Sequence, residues 1–445
     1  MSILTLRAAM ADVTPPAGHP LGGYAARAGR VATGVHDPLT AGLVSLTDDA
    51  GTTATWLSLD AVAVTTELAA ALREAVAEGM DPIGGDVLVC ASHTHSGPSG
   101  WTGGIHPSDP ERRDDSLVKH LADRVRALAR RAAQTPEPVQ PHWSVVWAPG
   151  TGANRNSTDG PHDERAGVLA LRSLDGSEVR ALLLDHAGHP TALGPENLAW
   201  SADWPGAARA VLTAALSEVA RFGGGTGRPP VIAFLQGAAG DVSPRAVRRG
   251  RGFAEAARLG TLLAGAVLRG LQDRSDPVDG DCRLAVRHGR VHLPGRRLPK
   301  ADVVRRTVTD AEARRRSVAE PADSAAARSA LAGLEGARFQ ERMCALDLPD
   351  RYDAPLTAAA LGDIAWLHLP VEPYSAIGLR IAAASPFRDT RVIGCTDGYL
   401  SYLVDREAHR AGTYEAMLSL FSPEAGDAVV DAAARLLTSA REATR

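Results

Sequence analysis

The residues best suited to chemistry sit where apolar runs end. In Val87-Leu-Val-Cys-Ala-Ser-His93-Thr-His95-Ser-Gly-Pro98, a strand-like run gives way to two histidines at i and i+2, then to Gly and Pro. On an extended backbone these positions share a face, so both imidazoles leave the strand together. Such a pair suits a divalent metal, and it suits equally two hydrogen-bonded histidines. The run Leu182-Leu-Leu-Asp185-His186-Ala-Gly-His189-Pro190 repeats the arrangement. Two strand ends that both carry histidine can converge on one ion. His189, held by the proline after it, is the better ligand; His186 reads as a core or supporting group.

Two further strand ends carry other chemistry. Phe234-Leu-Gln236-Gly-Ala-Ala-Gly240-Asp241-Val242-Ser243-Pro244 places small residues where backbone must approach something closely. Ser243 there is a nucleophile or a substrate hydrogen-bonding group. The alternative is a glycine-rich turn that Asp241 caps. Asp241 stands where the G-x-S-x-G elbow has glycine, which disfavours a standard serine triad. In Pro370-Val371-Glu372-Pro373 a carboxylate lies between two prolines, held rigidly enough to ligate a metal, or exposed on a loop.

The elements that must position these groups alternate along the chain. Leu43–Leu46, Ala54–Asp60, Val87–Ser92, Val145–Trp147, Ala166–Arg172, Ala181–Asp185 and Val231–Gln236 read as strands, with Ile364–Leu369 and Val392–Gly394 later. Leu68–Glu78, Leu117–Ala133, Pro205–Arg221, Phe253–Leu271 and Glu424–Arg445 read as helices. The rhythm from Ala181 to Leu271 is that of an α/β protein. Gly223–Gly227 lacks the Lys-Ser/Thr of a phosphate loop and precedes a strand, so it reads as a flexible connection. Residues 300–345 have helical spacing interrupted at Pro321, as expected of a solvated helical pair over the core. No repeat or long linker divides the chain, which predicts one large α/β domain over residues 1–445.

Composition narrows the classes. A chain of 445 residues with 44% hydrophobic and 22% charged side chains is not disordered, and a net charge of -4 leaves no nucleic-acid footprint. Lys119 and Lys300 are the only lysines, an arginine bias typical of a GC-rich genome. The four cysteines are far apart and read as buried free thiols. No signal peptide or transmembrane run of about 18 apolar residues is visible, so a cytoplasmic protein is expected.

In this order the segments resemble the neutral (non-lysosomal) ceramidase family, zinc-dependent amidases that split N-acyl sphingosines. The resemblance runs through Asp12-Val-Thr-Pro-Pro16, Gly22-Gly-Tyr-Ala25, Val35-His-Asp-Pro-Leu39 and Ser92-His-Thr-His-Ser-Gly-Pro98. It continues through Asn154-Arg155-Asn-Ser157, His189-Pro-Thr191, Gly240-Asp-Val-Ser-Pro244, Pro370-Val-Glu-Pro373 and Thr396-Asp-Gly-Tyr399. It implies a large mixed-sheet α/β catalytic domain flanked by helices. It also implies Zn²⁺ held by His93, His189, Glu372 and Tyr402, with Tyr414, His95 and Arg155 around the substrate amide and Ser243 at the family's proposed nucleophile. Two imidazoles, a carboxylate and a phenol, with a position left for water, make a catalytic rather than a closed site.

Three departures limit the substrate. No export signal is visible, no room follows Tyr414 for the C-terminal β-sandwich of members acting on ceramide, and Ala238 stands where the family often has Asn. The expectation is therefore a zinc hydrolase that cleaves an N-acyl compound, ceramide-like or smaller, by metal-activated water. The alternatives are an acyltransferase or amide-forming enzyme using the same site, and a catalytically silent binding protein. The partner expected is a small-molecule substrate, without nucleic acid or membrane span. The oligomeric state is left open.

Overall fold

Continuous apolar runs become strands covered on both faces: every residue of Thr53–Leu59 and of Val231–Gln236 is buried. The computed structural model describes residues 3–80, 85–273, 276–278, 282–318 and 325–444. In chain order the strands of the largest sheet are β1 (Leu4–Asp12), β2 (Thr40–Thr47), β3 (Thr53–Leu59) and β4 (Asp86–Ala91). They continue with β5 (Glu137–Trp147), β6 (Arg165–Ser173), β7 (Val179–His186) and β8 (Val231–Gln236). Their spatial order is β8-β7-β6-β5-β1-β2-β3-β4, with the short strand Asp276–Pro277 added beside β5. The sheet is mixed. Its two outer pairs, β3–β4 and β7–β8, are parallel; the others are antiparallel.

Each parallel pair needs a crossover, and each has a helix: α1 (Thr66–Met80) between β3 and β4, and α3 (Asp203–Phe222) between β7 and β8. Helix α2 (Asp115–Ala133) packs on α1, and α4 (Phe253–Asp273) on α3. The sheet curls so that β8 lies across β3, where Ser58 Oγ donates to the Phe234 carbonyl at 2.6 Å. That curl brings the two parallel pairs, and so both histidine-bearing strand ends, to one place.

A second sheet runs β9 (Leu284–Pro294), β10 (Arg351–Leu361), β11 (Ile364–His368) and β12 (Asp389–Ile393). Trp366 from it meets Trp56 and Trp143 of the first sheet edge-on, at ring distances of 5.8 and 5.5 Å. Each such ring removes on the order of 200 Å² from water, worth about 5 kcal/mol. Beyond β12 the chain is stitched between the outer strands of the large sheet. Gly394 N donates to the Gln236 carbonyl at 2.9 Å, and Ala91 N to the Cys395 carbonyl at 3.1 Å.

The α/β class and the flanking helices match the expectation, with boundaries shifted by a few residues. The strand expected at Val145–Trp147 starts at Glu137. Strands β1, β9 and β10 were not anticipated. β10 is Ala-rich and contains Pro355, a poor strand sequence; it forms because β9 supplies a full ladder. Pro355 lies before β11 begins to pair at Thr357, so its missing N–H interrupts no second ladder.

The 300–345 segment is a helical pair, α5 (Ala301–Ser317) and α6 (Ala325–Met343), packed on each other. The expected break at Pro321 lies outside the described residues. The Gly223–Gly227 run is a connection from α3 to β8, pinned by the Glu178 carboxylate, which accepts from Gly227 N at 3.2 Å and Thr226 Oγ1 at 2.9 Å. Cys90, Cys282 and Cys395 are buried free thiols and Cys344 is half-buried. Among the described residues no helix is long and apolar enough to cross a membrane.

Candidate functional site

His93 follows β4 with a left-handed backbone, φ +67°, a conformation a β-substituted residue adopts only when its surroundings impose it. The turn swings its ring towards the end of β3, where Nδ1 lies 2.5 Å from the Val62 carbonyl. His189 follows β7, and its Nδ1 lies 2.6 Å from the Ala239 carbonyl and 3.0 Å from that of Val242. A ring nitrogen against a carbonyl carries the proton, which leaves Nε2 of each ring with a free lone pair. Both Nε2 atoms face Glu372 Oε2, at 3.2 Å from His93 and 3.1 Å from His189. None of these three buried atoms makes a hydrogen bond.

His95 joins them. The ligand atoms of His93, His95 and His189 lie within 4.8 Å of one another, and both ring nitrogens of His95 are shielded and without a partner. The ring is seated by the edge of Tyr24 at 4.8 Å, and its carbonyl accepts from the buried Arg27 guanidinium. Gly23, at φ +91°, lets the chain pass this ring: a Cβ there would lie 2.6 Å from His95 Cγ.

The electrostatics ask for positive charge at this point. Burial opposes ionisation of Glu372, but the neighbouring imidazoles override it and hold the carboxyl well below its usual range. Burial likewise opposes charge on His93, yet Glu372 holds that imidazole well above its ordinary value. His95 is pushed well below by burial and then by His93 and His189; His189 falls to about 4 through burial and Arg155. Buried polar atoms left without hydrogen bonds cost about 1–3 kcal/mol each, and converging imidazole nitrogens with a carboxylate oxygen are the donor set of a divalent transition metal. The cluster can hold a metal ion.

Glu372 comes from the turn after β11, fixed by Glu372 N donating to Ser401 O at 3.0 Å. Gly240 packs against it so closely that a Cβ would meet the Glu372 carbonyl at 2.9 Å. The free oxygen of the carboxylate accepts from the Tyr399 hydroxyl. That contact was not anticipated, although Tyr399 closes one of the motifs. Tyr402, expected as a ligand, pairs with Glu372 in a short parallel ladder and accepts from Arg155 Nη2 at 3.4 Å. Cys395, Asp397 and Ser401 on the same stretch also have positive φ. Asp397 anchors it, taking Arg73 at 2.6 Å and Val89 N at 2.8 Å.

A second polar cluster lies behind the first. Arg155 Nε sits 2.7 Å from Glu415 Oε1, and its Nη2 donates to the Gly240 carbonyl at 2.6 Å. Glu415 Oε2 accepts from Asn156 at 3.0 Å and from the Tyr374 hydroxyl at 2.7 Å. Nothing local in the sequence points to Glu415, which follows Tyr414 in α8 (Tyr414–Leu418). Asp241 caps α7 (Ser375–Ala383), accepting from Ser375 N and Oγ at 2.8 Å each, and from Asn154 at 2.9 Å. Burial raises its carboxyl to about 6. Ser243 is buried, its Oγ accepting from Arg245 N at 3.4 Å. His186 bonds Thr151 Oγ1 at 2.7 Å, as a core histidine does.

Over the histidines opens a cavity of about 550 Å³. His93, His95, Glu372, Tyr399, Tyr402 and Tyr414 form its floor and wall, with Phe339 and Arg342 from α6 at its side. His189, Ser243 and Arg155 are not among its lining residues.

No protein-family model and no curated protein sequence matches the chain. Solved structures do. A neutral ceramidase from Pseudomonas aeruginosa aligns with a TM-score of 0.76 at 18% identity, over 99% of this chain and 75% of that one. A ceramidase complexed with C2 aligns at 0.75 and 16% identity, over 99% of this chain and 76% of that one. The chain therefore has a neutral ceramidase-like fold.

Proposed function

We propose that the protein is a zinc-dependent hydrolase that cleaves the amide bond of an N-acyl compound. The observation that carries this reading is the convergence of His93 Nε2, His189 Nε2 and Glu372 Oε2, buried and without hydrogen bonds, beside a cavity that His93 and Glu372 line. The ceramidase-like fold supports it.

In this reading His93, His189 and Glu372 hold the zinc and Tyr402 completes the set, while Tyr399 fixes the free oxygen of Glu372. Bound zinc supplies Lewis acidity, which polarises the amide carbonyl and brings the pKa of water towards about 7. Water adds to the carbonyl carbon, the C–N bond breaks, and the proton that water loses ends on the departing amine. His95 carries that proton: it is neutral, its nitrogens are unengaged, and it lies within the cluster. Tyr414 on the cavity wall donates to the carbonyl oxygen as charge develops there. Arg155, paired with Glu415, acts from behind by holding the Tyr402 hydroxyl and the Gly240 backbone. In this reading water, not Ser243, is the nucleophile. The residues with roles in this reading run from His93 to Tyr414, so the chain works as one catalytic unit.

The test is hydrolysis of a panel of N-acyl compounds, from ceramide to short amides, by zinc-loaded and chelator-stripped protein. Hydrolysis should vanish on stripping and return with zinc. His95→Gln should keep its zinc and lose about a hundredfold to ten-thousandfold in turnover. Undiminished hydrolysis by zinc-free protein would overturn the reading.

A further inference from the structure

The end of α6 brings a cation to the mouth of the cavity. The helix packs on α8 closely enough that a Cβ on Gly336 would lie 2.8 Å from Met417 Cε. This seats Phe339 against the edge of His106 at a ring distance of 5.5 Å, and His106 Nε2 in turn lies 3.1 Å from the Leu418 carbonyl. The guanidinium of Arg342 lies over Phe339, 4.3 Å from the ring centroid. Stacking fixes the plane of the group and leaves its N–H edge free, the geometry that takes a carboxylate or phosphate bidentately.

Two acids share the cavity wall, and both have protein donors. Asp109 accepts from Glu111 N at 3.1 Å, and Glu111 bonds Ser99, with burial raising its carboxyl pKa. Arg342 is different: among the described residues its guanidinium has no ion pair and no hydrogen bond. Among the described residues lining the cavity Arg342 is the one arginine or lysine, and the two acids beside it are bonded to neutral donors that leave its guanidinium unclaimed.

We infer that Arg342 binds an anionic group, carboxylate or phosphate, carried by the N-acyl substrate away from the scissile amide. The inference rests on the amidase reading and narrows it: the substrate is a charged N-acyl compound rather than a neutral lipid. The helical pair that looks like a solvated cover in sequence thereby becomes the element that selects the substrate.

Binding tests this separately from turnover. Calorimetric titration of the zinc-loaded protein would use N-acyl ω-amino acids of increasing spacer length, the matching amino alcohols, and the phosphate esters of those alcohols. At one spacer length the acid or the phosphate should bind about threefold to tenfold more tightly than the alcohol, the scale of one partly exposed charge-assisted bond. Whichever anion gains more identifies the group. The preference should shrink at high salt, disappear in Arg342→Gln and invert in Arg342→Glu. Equal binding of acid, phosphate and alcohol at every length, no binding of any of them, or a preference that survives Arg342→Gln overturns the inference. Hydrolysis without charge preference removes this inference alone. Charge-selective binding without hydrolysis removes the amidase reading alone.

Discussion

Two buried polar clusters lie back to back in this protein, and they are finished differently. In the Arg155 cluster the carboxylate is filled: Glu415 faces Arg155 Nε as an ion pair on one oxygen, though that Nε makes no hydrogen bond, and accepts from Asn156 and Tyr374 on the other. In the histidine cluster the outward-facing nitrogens are bonded to carbonyls, while the inward-facing atoms of His93, His189 and Glu372 make no hydrogen bond. A buried ion pair persists only when its lone pairs and protons are satisfied. A cluster satisfied at its rim and bare of hydrogen bonds at its centre can hold an ion. The difference separates what the fold needs from what the chemistry needs.

Removing a proposed ligand from the bare cluster should have the largest effect. His189→Ala should abolish stoichiometric zinc, read by elemental analysis, and lower hydrolysis on the order of a thousandfold or more. Zinc should also stabilise the unmodified protein against heat, by about 4 kcal/mol at a thousandfold excess over Kd, and leave His189→Ala unmoved. A zinc-induced rise in Tm that His189→Ala retains would move the ion elsewhere.

The filled cluster should respond in stability. Glu415→Leu leaves the Arg155 guanidinium, only 9% exposed, without its counter-charge. The expected loss is about 3 kcal/mol in denaturant unfolding, much of which a second change, Arg155→Met, should return. Zinc stoichiometry should hold. If Glu415→Leu empties the metal site as well, the two clusters are one unit and the contrast between them fails.

The bare cluster was the legible one, and the reason is physical. His93, His95 and His189 follow apolar runs, so residue type, strand periodicity and position announce them locally. The filled cluster announces nothing. The motif around Arg155 does not reveal its partner Glu415, a pairing made only when α8 packs against the loop after β5. The carbonyl of Val62 that orients His93, and the Tyr399 contact to Glu372, likewise exist only after the sheet curls and the chain beyond β12 is stitched in. The α/β class was visible because its helices and buried strands have strong periods. Strand β10 was not, since its ladder with β9 gives Ala-Ala-Ala and Pro355 an order that their own propensities oppose.

The smallest effect sharpens the boundary of the bare cluster. Gly23 and Gly29 both have left-handed φ, +91° and +74°, so alanine at either costs about 1 kcal/mol of backbone strain. They differ in what the new Cβ meets: His95 Cγ at 2.6 Å for Gly23, and nothing within 4 Å for Gly29. Gly23→Ala should push the His95 ring from its seat and lower turnover about tenfold, while zinc content holds because the Val62 and Ala239 carbonyls fix the His93 and His189 rings. Gly29→Ala should share the strain and keep the turnover. The ratio of the two rates then isolates the placement of His95 from the stability of its loop. Equal rates would mean that His95 needs no fixed position, and a proton carrier must have one. Loss of zinc in Gly23→Ala alone would instead make His95 a ligand of the ion.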